Sequence, residues 1–278
     1  MGLRQYQKDA LEAIRAESAQ GGGSKSLVVI STGGGKTVIL AKLPEAMGLQ
    51  PGQQMMVLVH RDELVWQTKE KLEKYNPSLT VTVEKAELTA DLSADLIVAS
   101  VQTIGRATKN EKGEYEWSDR IKKFNPERLR ALVVDEAHHA LGDSYKGVIA
   151  YFGVLKDTPY DTATGKVLLG VTATPNRGDN LGLEAIFDRV TYVKPLVEMI
   201  QEKWLCDIEA YRVQTSVDLS QVTVARGDFA VRELERTVNT PARNQLVVDK
   251  YLEYGHGQRA VAFAVDVAHA EDLTKAFD

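Results

Sequence analysis

Cysteine is nearly missing from this 278-residue chain: Cys206 stands alone, so no intrachain disulfide can form. Its neighbours Trp204, Leu205 and Ile208 point to a buried structural thiol rather than a reactive one. No apolar run approaches the roughly 20 residues that a membrane-spanning helix needs. Met1-Gly2-Leu3-Arg4-Gln5 lacks the apolar core of a secretory signal, so a cytoplasmic location without a membrane partner is the expectation. Excess basic charge is also missing, since 34 Lys and Arg against 39 Asp and Glu leave a net charge of −5. That balance does not advertise a polyanionic partner, although a local basic groove is compatible with an acidic body. There is no internal repeat and no low-complexity tract. What remains, 44% hydrophobic and 26% charged residues, is the composition of a globular chain with room for two domains.

The most informative stretch is Ser31-Thr32-Gly33-Gly34-Gly35-Lys36-Thr37, which follows the apolar run Leu27-Val28-Val29-Ile30. A strand that ends in a glycine-rich turn and opens into a helix leaves backbone N–H groups facing outward, with the helix's positive end behind them. Such a turn cradles phosphate. The glycines let the backbone approach a polyphosphate, Lys36 reaches its terminal groups, and the Thr37 hydroxyl is placed to ligate Mg²⁺. The full G-x-x-x-x-G-K-[ST] pattern is not met, because Ile30 occupies the first glycine position.

Along the chain, Leu3, Tyr6, Ala10 and Ile14 fall at helical spacing over residues 3–18. A helix is predicted from Thr37 to Met47, and Leu64, Thr68 and Leu72 mark the inner face of another. Met55–Val59, Val81–Val83, Leu96–Ala99, Leu132–Val134 and Val167–Val171 read as strands, most of them continuously apolar. The alternation predicts an α/β fold with a mostly parallel sheet and ligand sites at the strands' carboxyl ends. Gly105–Arg130, with its polar centre, reads as an exposed decoration. Lys69, Lys71, Lys74 and Lys85, interspersed with glutamates, read as a solvated face. Further on, Val193–Lys203 reads as a helix, Ile208–Val213 as a strand, and Phe229–Val238 and Ala242–Tyr254 as helices. Ala260–Val265 reads as a fresh buried strand followed by a helix over His269–Phe277. One such unit cannot cover its own strand, so residues 258–278 are expected to be the truncated start of a second domain.

Asp135-Glu136-Ala137-His138-His139 ends the strand Leu132-Val133-Val134. Beside a bound nucleotide, two adjacent carboxylates divide the work: Asp135 holds Mg²⁺, and Glu136 orients and deprotonates water. His138 and His139 are adjacent and point to different faces, which disfavours joint metal ligation. His138 is expected to touch the phosphate side or the strand after it, and His139 to be structural.

With both motifs in place, the chain resembles superfamily 2 helicases and translocases of the D-E-A-H type, nearest the branch that includes XPB-like and type III restriction enzyme motor subunits. Leu3-Arg4-Gln5-Tyr6-Gln7 resembles the family's adenine-reading segment, which implies that Arg4 and Gln7 contact the base. Val59-His60-Arg61-Asp62-Glu63-Leu64 resembles motif Ia, and Ala99-Ser100-Val101-Gln102-Thr103 resembles motif Ib. This implies nucleic-acid contacts from His60, Arg61, Ser100, Gln102 and Thr103. Arg61 pairing with Asp62 or Glu63, and Gln102 and Thr103 acting as capping groups, remain open alternatives. Thr172-Ala173-Thr174-Pro175 with Arg177 and Asp179 resembles motif III, which implies a coupling role for Thr172, Thr174 and Arg177.

The resemblance implies a first RecA-like P-loop NTPase domain over residues 1–193, a connecting segment over 194–257 and the start of a second RecA-like domain over 258–278. ATP and Mg²⁺ are the implied cofactors, held by Thr32, Gly33, Gly34, Gly35, Lys36, Thr37 and Asp135, with nucleic acid as partner and DNA favoured over RNA. The family's arginine fingers lie in the second lobe, so this polypeptide is expected to bind ATP but hydrolyse it slowly. An ATP-gated binding module without translocation is the alternative function.

Overall fold

The computed structural model describes residues 2–19, 22–162, 165–174, 182–215, 217–225 and 228–278. The chain forms two compact units, Met1–Asp207 and Ile208–Asp278.

The first unit is built on seven strands: β1 (Ser24–Ile30), β2 (Gln54–Val59), β3 (Val81–Glu84), β4 (Leu96–Ser100), β7 (Leu129–Asp135), β8 (Val167–Thr172) and β9 (Arg189–Lys194). They form one sheet in the order β3-β4-β2-β7-β8-β1-β9, with every pairing parallel. β1, β2, β4 and β8 are buried at every position, the pattern of a sheet covered on both faces. Alternate residues divide between two cores. Val28, Ile30, Met55, Val57, Val98, Val133 and Leu169 face α1 (Gln5–Ser18), α2 (Lys36–Ala46) and α3 (Asp62–Tyr75). Leu27, Val29, Met56, Leu58, Ile97, Leu132 and Leu168 face α4 (Val101–Ile104), α5 (Asp119–Lys122) and α6 (Asp143–Tyr151). Because all seven strands run the same way, the loops after β1, β8, β7, β2 and β4 line up along one rim. At roughly 4.8 Å per strand, those five ends span roughly 19 Å.

Four sequence expectations are corrected. Gly105–Arg130 is more than decoration: it holds the hairpin β5 (Ala107–Lys109) and β6 (Tyr115–Trp117), and it buries Ile121 and Phe124 in the core. Its polar tip is exposed, but apolar residues on both sides pay the entropy of ordering it. Val193 and Lys194 end an edge strand instead of opening a helix, and α7 (Leu196–Gln201) starts only after Pro195. A proline pushes the residue before it out of helical conformation. Cys206 is exposed: the segment after α7 is irregular, and although Leu205 packs against the core, Trp204 and Ile208 stay exposed and do not cover the thiol. Lys85 is not on an open solvated face; its side chain is 17% exposed and paired with Asp62 at 3.4 Å.

The second unit holds the short hairpin β10 (Val224–Ala225) and β11 (Asp228–Phe229), then α8 (Val231–Val238), α9 (Pro241–Tyr254) and α10 (Val267–Phe277). Val222, Val238, Val248 and Leu273 form its small apolar buried set. Residues 208–213 and 260–265 form no strand, and Val261 and Phe263 are 81% and 95% exposed. A strand exists by pairing, and these stretches, apolar as they are, have no partner strand among the described residues.

Candidate nucleotide and nucleic-acid site

The glycine loop sits between β1 and α2 at one end of the rim. Gly35 caps α2 in the left-handed region at φ 73°, which glycine adopts without strain. Gly34 is excluded from any larger residue: a Cβ there would lie 2.5 Å from Ile30 Cγ2 and 2.9 Å from the Ser31 carbonyl oxygen. The Ile30 side chain thus occupies the loop's inner wall. Thr32 and Gly33 are exposed, and the hydroxyl of the half-buried Thr37 makes no side-chain hydrogen bond among the described residues. α1 supports the loop from behind: Tyr6 Oη donates to the Gly34 carbonyl at 2.8 Å and Gln7 Nε2 to the same oxygen at 3.4 Å. Gln7 is buried, and its Oε1 accepts the Arg4 N–H at 3.0 Å. The Arg4 guanidinium donates to Tyr6 Oη at 3.2 Å and lies 5.4 Å from the Trp204 ring, which meets Tyr6 edge-on at 5.6 Å. Trp204 carries no signal in the sequence, since it stands 200 residues from Arg4 and only the fold joins them.

The carboxylate pair lies two strands away, at the end of β7. Glu136 takes the left-handed conformation at φ 51°, which costs a non-glycine residue about 1–2 kcal/mol. That turn bends the chain sharply out of the strand. The Glu136 carboxylate meets Lys36 Nζ at 3.2 Å and His138 Nδ1 at 3.4 Å. His138 Nδ1 also lies 3.1 Å from Thr172 Oγ1, which in turn accepts the Thr174 N–H at 3.1 Å. Lys36, Glu136, His138 and Thr172 therefore form one polar string across β1, β8 and β7. Arg177, Pro175 and Asp179 lie outside the described residues.

Asp135 is only 8% exposed, and burial, reinforced by the neighbouring Glu136 charge, pushes its pKa up to about 6. The Glu136 N–H, which donates to Asp135 Oδ1 at 3.0 Å, and the Lys36 charge pull it down without cancelling the rise. Among the described residues the buried Tyr145 hydroxyl has no hydrogen-bond partner, and burial together with the Asp135 and Glu136 charges drives its pKa upward. An under-compensated acid, an orphaned hydroxyl and the unengaged Thr37 hydroxyl fit a hydrated divalent cation brought in with a nucleotide. Among the described residues no group of three or more His, Cys, Asp or Glu is arranged to hold a metal unaided. Mg²⁺ ordinarily takes one or two protein ligands and completes its shell with phosphate and water.

At the far end of the rim a cavity of about 1010 Å³ opens after β2 and β4. It gathers His60, Arg61, Ser100, Gln102 and Thr103, all five expected residues, into one lining. Lys85, Arg106, Ser118 and Arg120, which no motif flagged, join them, and so do the acidic Asp62, Glu63 and Glu87. Ser100 and Thr103 also have local duties: Ser100 Oγ donates to Gln102 Oε1 at 2.8 Å, and Thr103 Oγ1 accepts the Ala86 N–H at 2.9 Å. Arg61 does not pair with Asp62 or Glu63, and among the described residues Arg61 and Arg106 make no ion pair. Arg120 is anchored below by Glu84, which is fully buried and also takes Lys123 Nζ at 2.6 Å and the Ala90 N–H at 2.7 Å. Burial pushes the Glu84 pKa up, but the bonds from Lys123, Ala90 and Arg120 outweigh it and hold the carboxyl below its usual range.

Residues 1–177 match the family described as type III restriction enzyme, res subunit. The chain is 32% identical over 99% of its length to a putative ATP-dependent helicase, IRC3, of Saccharomyces cerevisiae, and covers 39% of that protein. It thus spans about two fifths of the length of that relative. Among solved structures, a fragment of a putative HsdR subunit of a type I restriction enzyme from Vibrio vulnificus YJ016 superposes with a TM-score of 0.67. The identity is 21%, over 99% of this chain and 44% of that one. A nuclease-deletion mutant of the type ISP restriction-modification enzyme LlaGI, solved with a DNA substrate mimic, gives 0.51 at 16% identity, over 97% of this chain and 26% of that one. These structural likenesses confirm the parallel α/β fold.

Proposed function

The chain belongs to the type III restriction enzyme res-subunit family, and on that premise we propose that it is the ATP-binding lobe of an ATP-dependent nucleic-acid helicase or translocase. The observation that carries this reading is the polar string Lys36–Glu136–His138–Thr172, set on the same rim as a cavity lined by Arg61, Lys85, Arg106 and Arg120. ATP lies over Gly33–Thr37, its terminal phosphates drawing Lys36 away from Glu136. Arg4 and Trp204 flank the base, and Gln7 braces the loop beneath it. Thr37 and Asp135 would hold Mg²⁺, which would neutralise charge on the phosphates. Glu136, released from Lys36, orients the attacking water and accepts its proton. His138 passes the change at Glu136 to Thr172 and Thr174.

A nucleic-acid strand lies in the cavity, its phosphates held by Arg61 and Arg106 and its binding weakened by salt. DNA is favoured over RNA, supported by the DNA mimic in the LlaGI structure. The test is Glu136→Gln. ATP affinity is expected to persist while strand-stimulated turnover falls about 10²–10⁴-fold. Unchanged turnover would remove Glu136 as the base. Nucleotide-dependent strand binding with no turnover in the unmodified protein would leave the gated binding module instead.

A further inference from the structure

The two halves of the rim are joined by rings. The His138 ring lies 4.1 Å from that of His139, and His139 stacks on His60 at 4.4 Å with the planes 23° apart. His60 ends the chain's path out of β2, and its carbonyl accepts a hydrogen bond from Gln102 Nε2, with His60 Nδ1 a further 3.5 Å contact. Gln102 sits on α4, so this pair bridges the two strand ends from which the cavity opens. At the other end, His138 is held by Glu136 and Thr172, and Glu136 by Lys36. A continuous set of contacts therefore runs from the phosphate lysine to the cavity wall, and His139 is its middle piece.

We propose that His139 is a positioning residue that couples nucleotide occupancy to strand affinity by holding His60 against His138. This rests on the function proposed above. The element with two states is the Lys36–Glu136 ion pair, which is closed in this structure and must open when a terminal phosphate takes Lys36. Glu136 then holds His138 differently, and because the three half-buried rings lie in direct contact, His139 and His60 follow. The His60–Gln102 bridge moves with them, changing the cavity that grips the strand. By linkage, the strand must change nucleotide affinity by the same factor.

The test measures binding of a fluorescent single DNA strand to the 278-residue chain by anisotropy, with and without a nonhydrolysable ATP analogue and Mg²⁺. The unmodified chain is expected to show a change in strand affinity of about five-fold or more on adding the analogue. His139→Ala is expected to bring that ratio to within about two-fold of unity while leaving each ligand's separate affinity within about two-fold. His139→Phe, which keeps a flat ring, is expected to retain the ratio. If His139→Ala fails to fold, as judged by thermal melting, His139→Leu supplies similar bulk without the ring.

Retention of the ratio in the ringless variant overturns the proposal, as does its loss in both the phenylalanine and the ringless variants. An unmodified chain that binds both ligands without coupling also overturns it. An unmodified chain that binds neither analogue nor strand sinks the function itself, which is a different result.

Discussion

The two ends of the rim are built on opposite principles. At the nucleotide end, the loop after β1 and the turn after β7 each place several functional groups within seven consecutive residues or fewer, and backbone geometry aims them: Gly35 at φ 73° and Glu136 at φ 51°. At the cavity end, no single segment suffices. His60 and Arg61 come from the end of β2, Lys85 from beyond β3, Ser100, Gln102 and Thr103 from β4 and α4, and Arg106, Ser118 and Arg120 from the segment around the hairpin. Side-chain ion pairs rather than turns hold that wall. A nucleotide's phosphates demand a fixed cradle of N–H groups, whereas an extended strand is held by charges spread over a surface.

The largest effect separating the two ends should come from Glu84→Ala. It leaves Arg120 and Lys123 without their buried carboxylate, and the chain should lose about 3–5 kcal/mol in denaturant unfolding. Nucleotide affinity measured without the strand should hold while strand affinity falls; a parallel loss of both would mean that Glu84 supports the whole sheet rather than the cavity wall. Because the Glu84 pKa is held low, its contribution is present at neutral pH and disappears as pH falls through the folded value.

Next in size is Asp135→Asn, with the opposite sign. The unfolded carboxyl ionises near its ordinary 3.8, whereas the folded one keeps its proton up to about 6. The cost of ionising a buried carboxyl therefore grows between those values and is complete above them. In the nucleotide-free chain, the substitution should stabilise by on the order of 2–3 kcal/mol at pH 7.5, and the gain should fade as pH drops from 6 to 4. Unfolding curves across that range check it. A substitution that destabilises at pH 7.5 would mean that Asp135 already has a cation partner.

Arg106→Ala should have the smallest effect and sharpen the contrast most. Strand affinity should fall several-fold, and the slope of log affinity against log salt should become shallower by about 0.7, the contribution of one phosphate contact on a single strand. Nucleotide affinity should not move. An unchanged salt slope would place Arg106 off the strand's path.

The asymmetry explains what was legible in advance. Continuous apolar runs identified five of the seven sheet strands because a doubly covered strand has no polar face to disguise it. The edge strand β9 was misread, since Val190 and Val193 remain about half exposed and alternate with polar residues. Lys36, Glu136 and His138 were legible because their chemistry is local, and the structure does bring them together. Trp204, Arg106 and Arg120 were not, because nothing within a few residues of them indicates what they face. Ala260–Val265 shows the converse error: an apolar run that has no strand to pair with remains exposed.

By itself, then, the sequence determined the parallel α/β fold, the phosphate loop and the carboxylate pair, all of which arise from runs and turns a few residues long. Only the tertiary structure decided that Ile30 walls the glycine loop, that Lys36 rests on Glu136, and that His139 bridges His138 to His60. It also decided that a polar excursion builds one side of a polar cavity. These outcomes depend on the order in which parallel strands stack, and adjacent strands here are up to 164 residues apart in the chain, as Ile30 and Lys194 are. Local propensity carries no information at that distance; packing two apolar faces at once does.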